Sequence, residues 1–231
     1  MSRTLDVATS VAATVARLGT GARVVGKSRR PEAPLELYDF EACPYCRKAR
    51  EALSALDLDA MIYPCPKGGE RFRAKARELG GKAQFPFLVD PNTGRSLYES
   101  SQIVAYLAAT YGEGRVPLAL RLGPLTTLSS SAASLVRVGR GTRARPSRAP
   151  ERPLELYSYE PSPFCRLVRE RLCELELPYL LHNVAQGSAG RGAFVALSGK
   201  MQVPYLVDPN AGRSLFESAD IIDHLERTYG A

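Results

Sequence analysis

Residues 88–112 read LVDPNTGRSLYESSQIVAYLAATYG, and residues 206–230 read LVDPNAGRSLFESADIIDHLERTYG. Sixteen of the 25 positions are identical, so the chain is a duplication and whatever fold suits one copy suits both. The repeat reaches upstream, where Leu35-Glu36-Leu37-Tyr38 returns as Leu154-Glu155-Leu156-Tyr157. A fainter echo precedes that, SVAATVARLGTGAR at 10–23 against SSAASLVRVGRGTR at 130–143. Two copies make a pair of globular domains rather than a solenoid. The expected organisation is an N-terminal helical arm (1–33), a first domain (34–112), a basic linker with a helix (113–152) and a second domain (153–231).

The order of elements inside one unit is legible. Residues 35–40 are a short β-rich run, and residues 44–56 a helix with Pro44 suited to its first turn. Residues 60–63 read as a strand and 71–79 as a helix. Two short strands, 86–89 and 96–98, flank the turn Asp90-Pro91-Asn92-Thr93-Gly94. An amphipathic helix over 100–111, with Ile103, Val104 and Leu107 inward, closes the unit. The fold class is therefore α/β, with βαβαββα giving a four-stranded mixed sheet in each domain. The echo segments place Leu5, Ala8, Val11, Val15 and Leu18, then Leu125, Leu128, Ala132 and Leu135, at helical spacing, with Gly19 and Gly139 as stops. Each predicts an amphipathic helix packed on its own or the neighbouring domain. Because the pattern recurs mid-chain, the first 30 residues read as structure rather than as a transit peptide.

No apolar run among the 231 residues approaches the roughly 18 needed to span a bilayer, so a soluble protein without a membrane partner is expected. The net charge of +7 is uneven: +4 over 1–33, 0 over 34–112, +6 over 113–152 and −3 over 153–231. Arg137, Arg140, Arg143, Arg145 and Arg148 form the densest run, without interleaved aromatic residues for base stacking. A solvated basic linker is expected there, exposed between about 139 and 153, and no nucleic-acid partner. Five cysteines are too sparse for a disulfide framework and imply a reducing compartment. Cytoplasm is expected, or chloroplast stroma for a photosynthetic eukaryote. Two distant histidines, His182 and His224, argue against a metal site.

The chemistry concentrates at Cys43-Pro44-Tyr45-Cys46. Cys43 stands just ahead of a predicted helix, whose free N–H groups and dipole favour a thiolate, and Arg47 and Lys48 add positive charge. Cys46 follows one turn later, within disulfide reach. A Cys-X-X-Cys beside a βαβ pattern signals redox chemistry; half a zinc site is the alternative, but there is no second pair. Cys65 reads as a loop cysteine or an accessory thiol, and Cys173 as core.

On these residues each unit resembles the thioredoxin fold in its glutaredoxin form, and the downstream half is similar to the glutathione-binding N-terminal domain of glutathione transferases. The resemblance covers about 80 residues of each half, and the whole chain resembles tandem proteins with two such domains found in photosynthetic organisms. It implies Cys43 as nucleophile and Cys46 as resolving thiol. It further implies glutathione held by Tyr45, by the Phe85-Pro86 step and by the Glu99-Ser100 pair. In the second unit the tetrapeptide is Ser162-Pro163-Phe164-Cys165, while Val203-Pro204 and Glu217-Ser218 keep the binding parts. A hydroxyl is far too weak an acid to replace a thiolate; Ser162 either hydrogen-bonds a glutathione sulfur or merely caps its helix.

The leading expectation is a glutathione-dependent thiol–disulfide oxidoreductase acting on disulfide or glutathionylated protein substrates, with glutathione as co-substrate and no metal. The second domain is then a non-redox glutathione-binding copy. A glutathione transferase or isomerase is the alternative; its all-helical substrate wall is missing unless the two domains supply it to each other. The third reading is a non-catalytic glutathione- or protein-binding module. An iron–sulfur carrier is a variant of that module, and Pro44 counts against it.

Overall fold

A computed structural model describes residues 3–137 and 139–231. Helix α1 (Arg3–Ala16) leads into β1 (Leu35–Asp39), α2 (Pro44–Ala55), β2 (Ala60–Pro64), α3 (Arg73–Gly80), β3 (Phe87–Asp90), β4 (Arg95–Leu97) and α4 (Ser100–Tyr111). Helices α5 (Leu118–Arg121) and α6 (Pro124–Val136) connect to the second unit. That unit repeats the order as β5 (Leu154–Ser158), α7 (Pro163–Glu174), β6 (Tyr179–Asn183), α8 (Arg191–Ser198), β7 (Tyr205–Asp208), β8 (Arg213–Phe216) and α9 (Ser218–Tyr229). Within each unit β1 and β2 (β5 and β6) run parallel and the hairpin is antiparallel, the expected mixed sheet.

The two sheets are one. Strand β2 pairs antiparallel with β6, giving the order β4-β3-β1-β2-β6-β5-β7-β8. In that pairing Met61 faces its own counterpart, Leu180, so an approximate two-fold axis passes between them. The physical reason is an edge problem. Ala60-Met61-Ile62 and Tyr179-Leu180-Leu181 are apolar edge strands whose unpaired backbone would invite aggregation, and each covers the other. Strand periodicity then divides the two faces. Leu35 and Leu37 pack under α2 and α4, and with Leu154 and Leu156, and Val168 and Leu172 of α7, they form a core continuous across both units. Tyr38 points to the opposite face, where it stacks on Tyr63 and joins Ala76 of α3.

The leading helices cross over. Helix α1 packs on α7 of the second domain, α6 packs on α2 of the first, and the two helices pack on each other. Their orientation corrects the sequence expectation. Ser10 and Ala13 of α1, Arg17 just after it, and Thr126, Ser130 and Ala133 of α6 are buried. Leu5, Ala8, Val11, Val15 and Leu18, with Leu125, Leu128, Ala132 and Leu135, face solvent. The inward surface is a set of free carbonyls at the two tetrapeptide loops, and only hydroxyl donors answer it. Ser130 Oγ donates to Pro44 O (2.8 Å), Ser10 Oγ to Pro163 O (2.8 Å) and Thr14 Oγ1 to Pro161 O (2.6 Å).

The connector is not a free tether either. Lys67 N donates to Thr142 O (2.6 Å), Ala144 N to Lys67 O (2.9 Å) and Arg145 N to Glu174 O (2.7 Å). Gly141, at φ 67°, lies so near Glu41 that an added Cβ would stand 2.8 Å from the Glu41 Cβ. Arg143, Arg145 and Arg148 are exposed as a solvated run would be, but Arg137 is 2% exposed and grips Glu170 through two bonds of 2.6 and 2.7 Å. Arg17 repeats that grip on Glu51 at 2.8 and 2.6 Å.

Around the axis lies a closed ring of charge. Arg50 contacts Asp39, Glu41 (3.2 Å) and, across the seam, Glu160 (3.1 Å). Arg169 contacts Glu160 (2.9 Å) and, across the seam, Glu41 (3.1 Å). Burial would raise the Glu41 carboxyl, but Arg169 and Arg50 outweigh it and hold it down to about 2. Removing one member of such a buried network leaves its partners uncompensated, at a cost of about 3–5 kcal/mol. Urea unfolding is therefore expected to be one transition, coincident by far-ultraviolet circular dichroism and tyrosine fluorescence. Arg169→Met should lower the whole curve by about 3–5 kcal/mol. Two separated transitions, with only one displaced by the variant, would show that the halves are independent.

Candidate active site

Cys43 is the N-cap of α2, and Pro44 occupies the first helical turn, as its missing N–H and fixed φ favour. With φ −72° and ψ 123°, the cap directs its sulfur back over the helix end, where Cys46 N donates to Cys43 Sγ at 3.4 Å. The Cys43 thiol is lowered to about 7. The largest cause is the hydrogen bond from the Cys46 side chain; burial opposes it, and the Cys46 and Tyr45 amides and the Arg50 charge assist. Cys46 moves the other way, pushed well above its ordinary value by burial and by its bond to Cys43. Thiolate character is thus concentrated on one sulfur of the pair. Cys43 itself is only 5% exposed.

The cations differ from the sequence expectation. Arg47 turns inward, 1% exposed, and donates to Ser134 (3.1 Å), while its Nε and Nη1 meet no partner among the described residues. Burial depresses its charge. Arg50, two turns into α2, supplies the guanidinium that acts on Cys43. Lys48 lies over the ring of Tyr45 at 5.2 Å, donates to Thr127 of α6 (3.1 Å), and senses the charges of Cys43 and Glu99.

The remaining residues singled out in the first domain sit at the same end of the sheet. Phe85-Pro86 is a cis peptide immediately before β3, and the Phe85 ring meets Phe40, next to the motif loop, edge-on at 6.5 Å. Glu99, exposed at the start of α4, holds φ 59° and ψ 112° and accepts from Gln84 Nε2. Such backbone in a non-glycine residue costs roughly 1–3 kcal/mol and is retained where surroundings or function impose it. Ser100 beside it is buried.

The second domain reproduces the scaffold with a different head group. Ser162 caps α7, and Cys165 N donates to its Oγ at 3.3 Å. Cys165 is wholly buried, and burial raises its thiol. Val203-Pro204 is cis, Glu217 adopts φ 62°, and Gln202 donates to Glu217 as Gln84 does to Glu99. Phe164 is exposed where Tyr45 is. Burial raises both other thiols, Cys65 in its aromatic cluster and Cys173 at the seam, where Cys173 Sγ donates to Gly141 O (3.3 Å).

Sequence reasoning missed Asp39, Arg50, Gln84 and the hydroxyls of α1 and α6. A signal for some was present. Between the copies Glu41/Glu160, Arg47/Arg166 and Arg50/Arg169 are identical, whereas Asp39 and Cys43 change together to Ser158 and Ser162. The buried Asp39 carboxyl, raised to about 6 by burial against the pull of Arg50, is present only in the domain that has the thiol pair, and its charge acts on Cys46.

Iodoacetamide should therefore label Cys43 first in the native protein, with a rate midpoint near pH 7, while Cys65, Cys165 and Cys173 react only after unfolding. Cys46→Ala removes the main cause of the lowered value, so the midpoint should move up toward the ordinary cysteine value of about 8.5. An unchanged midpoint in that variant would assign the effect to the helix end alone.

Among the described residues no helix is long and apolar enough to cross a membrane, and no group of three or more His, Cys, Asp or Glu is placed to hold a metal ion. The family described as glutathione S-transferase, N-terminal domain, matches residues 37–115 and again residues 156–231. Comparison with curated proteins and with solved structures returns no match. Two thioredoxin-like units in tandem, each matching over nearly its whole length, mean that the chain belongs to the family of glutathione S-transferase N-terminal domains.

Proposed function

We propose that the chain is a glutathione-dependent thiol–disulfide oxidoreductase that works through Cys43. The observation that carries this reading is the contrast among the cysteines: Cys43 alone is lowered, to about 7, and the other four are raised. The Cys43 thiolate attacks the glutathione sulfur of a glutathionylated protein, forming a Cys43–glutathione disulfide and releasing the protein thiol. A second glutathione, as thiolate, attacks the glutathione sulfur of that disulfide. Oxidised glutathione leaves and the Cys43 thiolate returns. Cys46 is buried and its thiol raised, which favours this route over resolution by Cys46. Glutathione would be held by Tyr45, by the backbone at Phe85-Pro86 in the manner of an added strand, and by Glu99-Ser100. Ser162, Val203-Pro204 and Glu217-Ser218 would dock glutathione in the second domain without turnover.

A second reading, glutathione transfer to an electrophile, is favoured by one observation. Helix α6 stands against the motif loop through Ser130 and Pro44, so a helical wall borders the first site although no helical domain follows it directly in the usual way. One pair of assays on the full chain separates the readings: glutathione-coupled reduction of a mixed disulfide, and conjugation of a generic aryl halide. Cys43→Ser should abolish the first. Conjugation that persists in Cys43→Ser, with no reductase activity in the parent, would establish the transferase instead. In the Cys43→Ser background, Ser162→Cys should restore measurable reductase activity if the second site still docks glutathione. Continued silence there would make that site a structural relic. The full chain is required because an isolated half exposes β2 or β6.

A further inference from the structure

Helices α1, α5 and α6 present an apolar face to solvent that no part of the described chain covers. Leu18 is 92% exposed and Leu135 78%; Val15, Leu122, Leu125 and Leu128 lie between 52% and 68%. Helices α1 and α6 pack side by side, and between the end of α1, α5 and α6 runs a cleft of about 390 Å³ whose outer lining is Leu18, Leu122, Leu125 and Leu128, with Arg17, Thr20, Thr126 and Ser129 on its floor. A continuous exposed aliphatic surface of this kind marks a docking face rather than ordinary surface residues.

The charge around that face says what it meets. Arg115 and Arg121 are exposed and α5 and α6 contain no acidic residue, whereas Arg137, Arg140 and Arg145 are taken up by Glu170, Asp6 and Glu226. Arg121 is exposed beside Leu122, Arg3 is exposed at the start of α1, and the nearby Asp6 is already engaged by Arg140 at 3.1 Å. A second copy would bring two such positive faces together, which like-charge repulsion disfavours. Stable protein interfaces are anchored by aromatic side chains and Arg in a desolvated centre. Here the centre is aliphatic and the arginines stand at the rim.

We propose that this face docks on an anionic lipid surface, with α1, α5 and α6 lying in the headgroup plane, their leucines and valines inserted and Arg3 and Arg121 against the phosphates. The sequence expectation of no membrane partner rested on the lack of a spanning segment; helices of 14, 4 and 13 residues lying flat need none. Helix α6 is tied to the motif loop by the Ser130–Pro44 and Thr127–Lys48 contacts, so the docked chain would set Tyr45 and its thiol loop at the lipid margin.

Co-sedimentation of the full reduced chain with vesicles tests this. Vesicles of equal parts phosphatidylcholine and phosphatidylglycerol should bind it, and phosphatidylcholine alone should bind it at least about tenfold more weakly. Leu125→Ser, Leu128→Ser and Leu135→Ser combined should cost about tenfold or more. Arg121→Glu should weaken binding severalfold, more at low salt than at high. All four residues are exposed, so the fold should survive, as circular dichroism can verify. Equal sedimentation of the parent and the triple variant would overturn the proposal. So would a lipid-free dimer, seen by light scattering, that the triple variant abolishes, which would assign the face to a second copy. Retention on immobilised polyglutamate that depends on the three leucines, without vesicle binding, would likewise overturn it in favour of an acidic protein.

Discussion

The antiparallel contact between β2 and β6 is the constraint from which the rest follows. Each unit alone would end in an apolar edge strand, and pairing Met61 with Leu180 removes both edges at once. That pairing brings the N-terminal halves of α2 and α7 together over the axis and buries the charges they carry. Unpaired, those charges would prohibit the arrangement. Arg50, Arg169, Glu41 and Glu160 instead alternate around the axis, each guanidinium reaching both carboxylates. Arg17 and Arg137 add one further pair on each side. The ring specifies one mutual orientation, because a shift along the strands would break contacts on both sides.

The thiol environment inherits this arrangement. Arg50, the least of the groups that lower Cys43, is held by carboxylates from both domains, so a minor part of the thiol's electrostatic surroundings is shared across the seam. The loop carrying Cys43 is fixed from outside by Ser130 of α6, a helix of the connector. The asymmetry of the copies is local. One unit has Asp39, Cys43 and Cys46 where the other has Ser158, Ser162 and Cys165, within otherwise matching scaffolds. The copies differ at Asp39/Ser158 and Cys43/Ser162, while the seam residues Glu41/Glu160 and Arg50/Arg169 are the same.

Most of the fold was legible because it is local. The duplication, the βαβαββα order and the 100–111 helix, which the structure places at Ser100–Tyr111, all follow from periodicity and turn residues within one unit. What failed was the rule that an apolar stripe faces the core. Helices α1 and α6 dock on loop carbonyls rather than on a core, so their Ser and Thr face inward and Leu18 and Leu135 outward. Composition gave the same wrong answer for Arg137, whose partner Glu170 lies 33 positions away on α7, beyond the reach of any local window. The placement of Cys43 at a helix cap was readable from Pro44 onward. The role of Arg50, and of Asp39 beneath the thiol pair, was not, because each depends on a strand and a neighbouring domain that no window of sequence contains.

Amide hydrogen exchange on the native protein measures the seam itself. If β2 and β6 form the middle of one sheet, the backbone amides that bond across the seam in 60–62 and 179–181 should exchange among the slowest in the chain, with the core strands β1 and β5 and only through global unfolding. Exchange of those amides at the rates of the outer strands β4 and β8, through local opening, would contradict the account. It would mean two domains merely tethered, with a thiol that owes nothing to its neighbour.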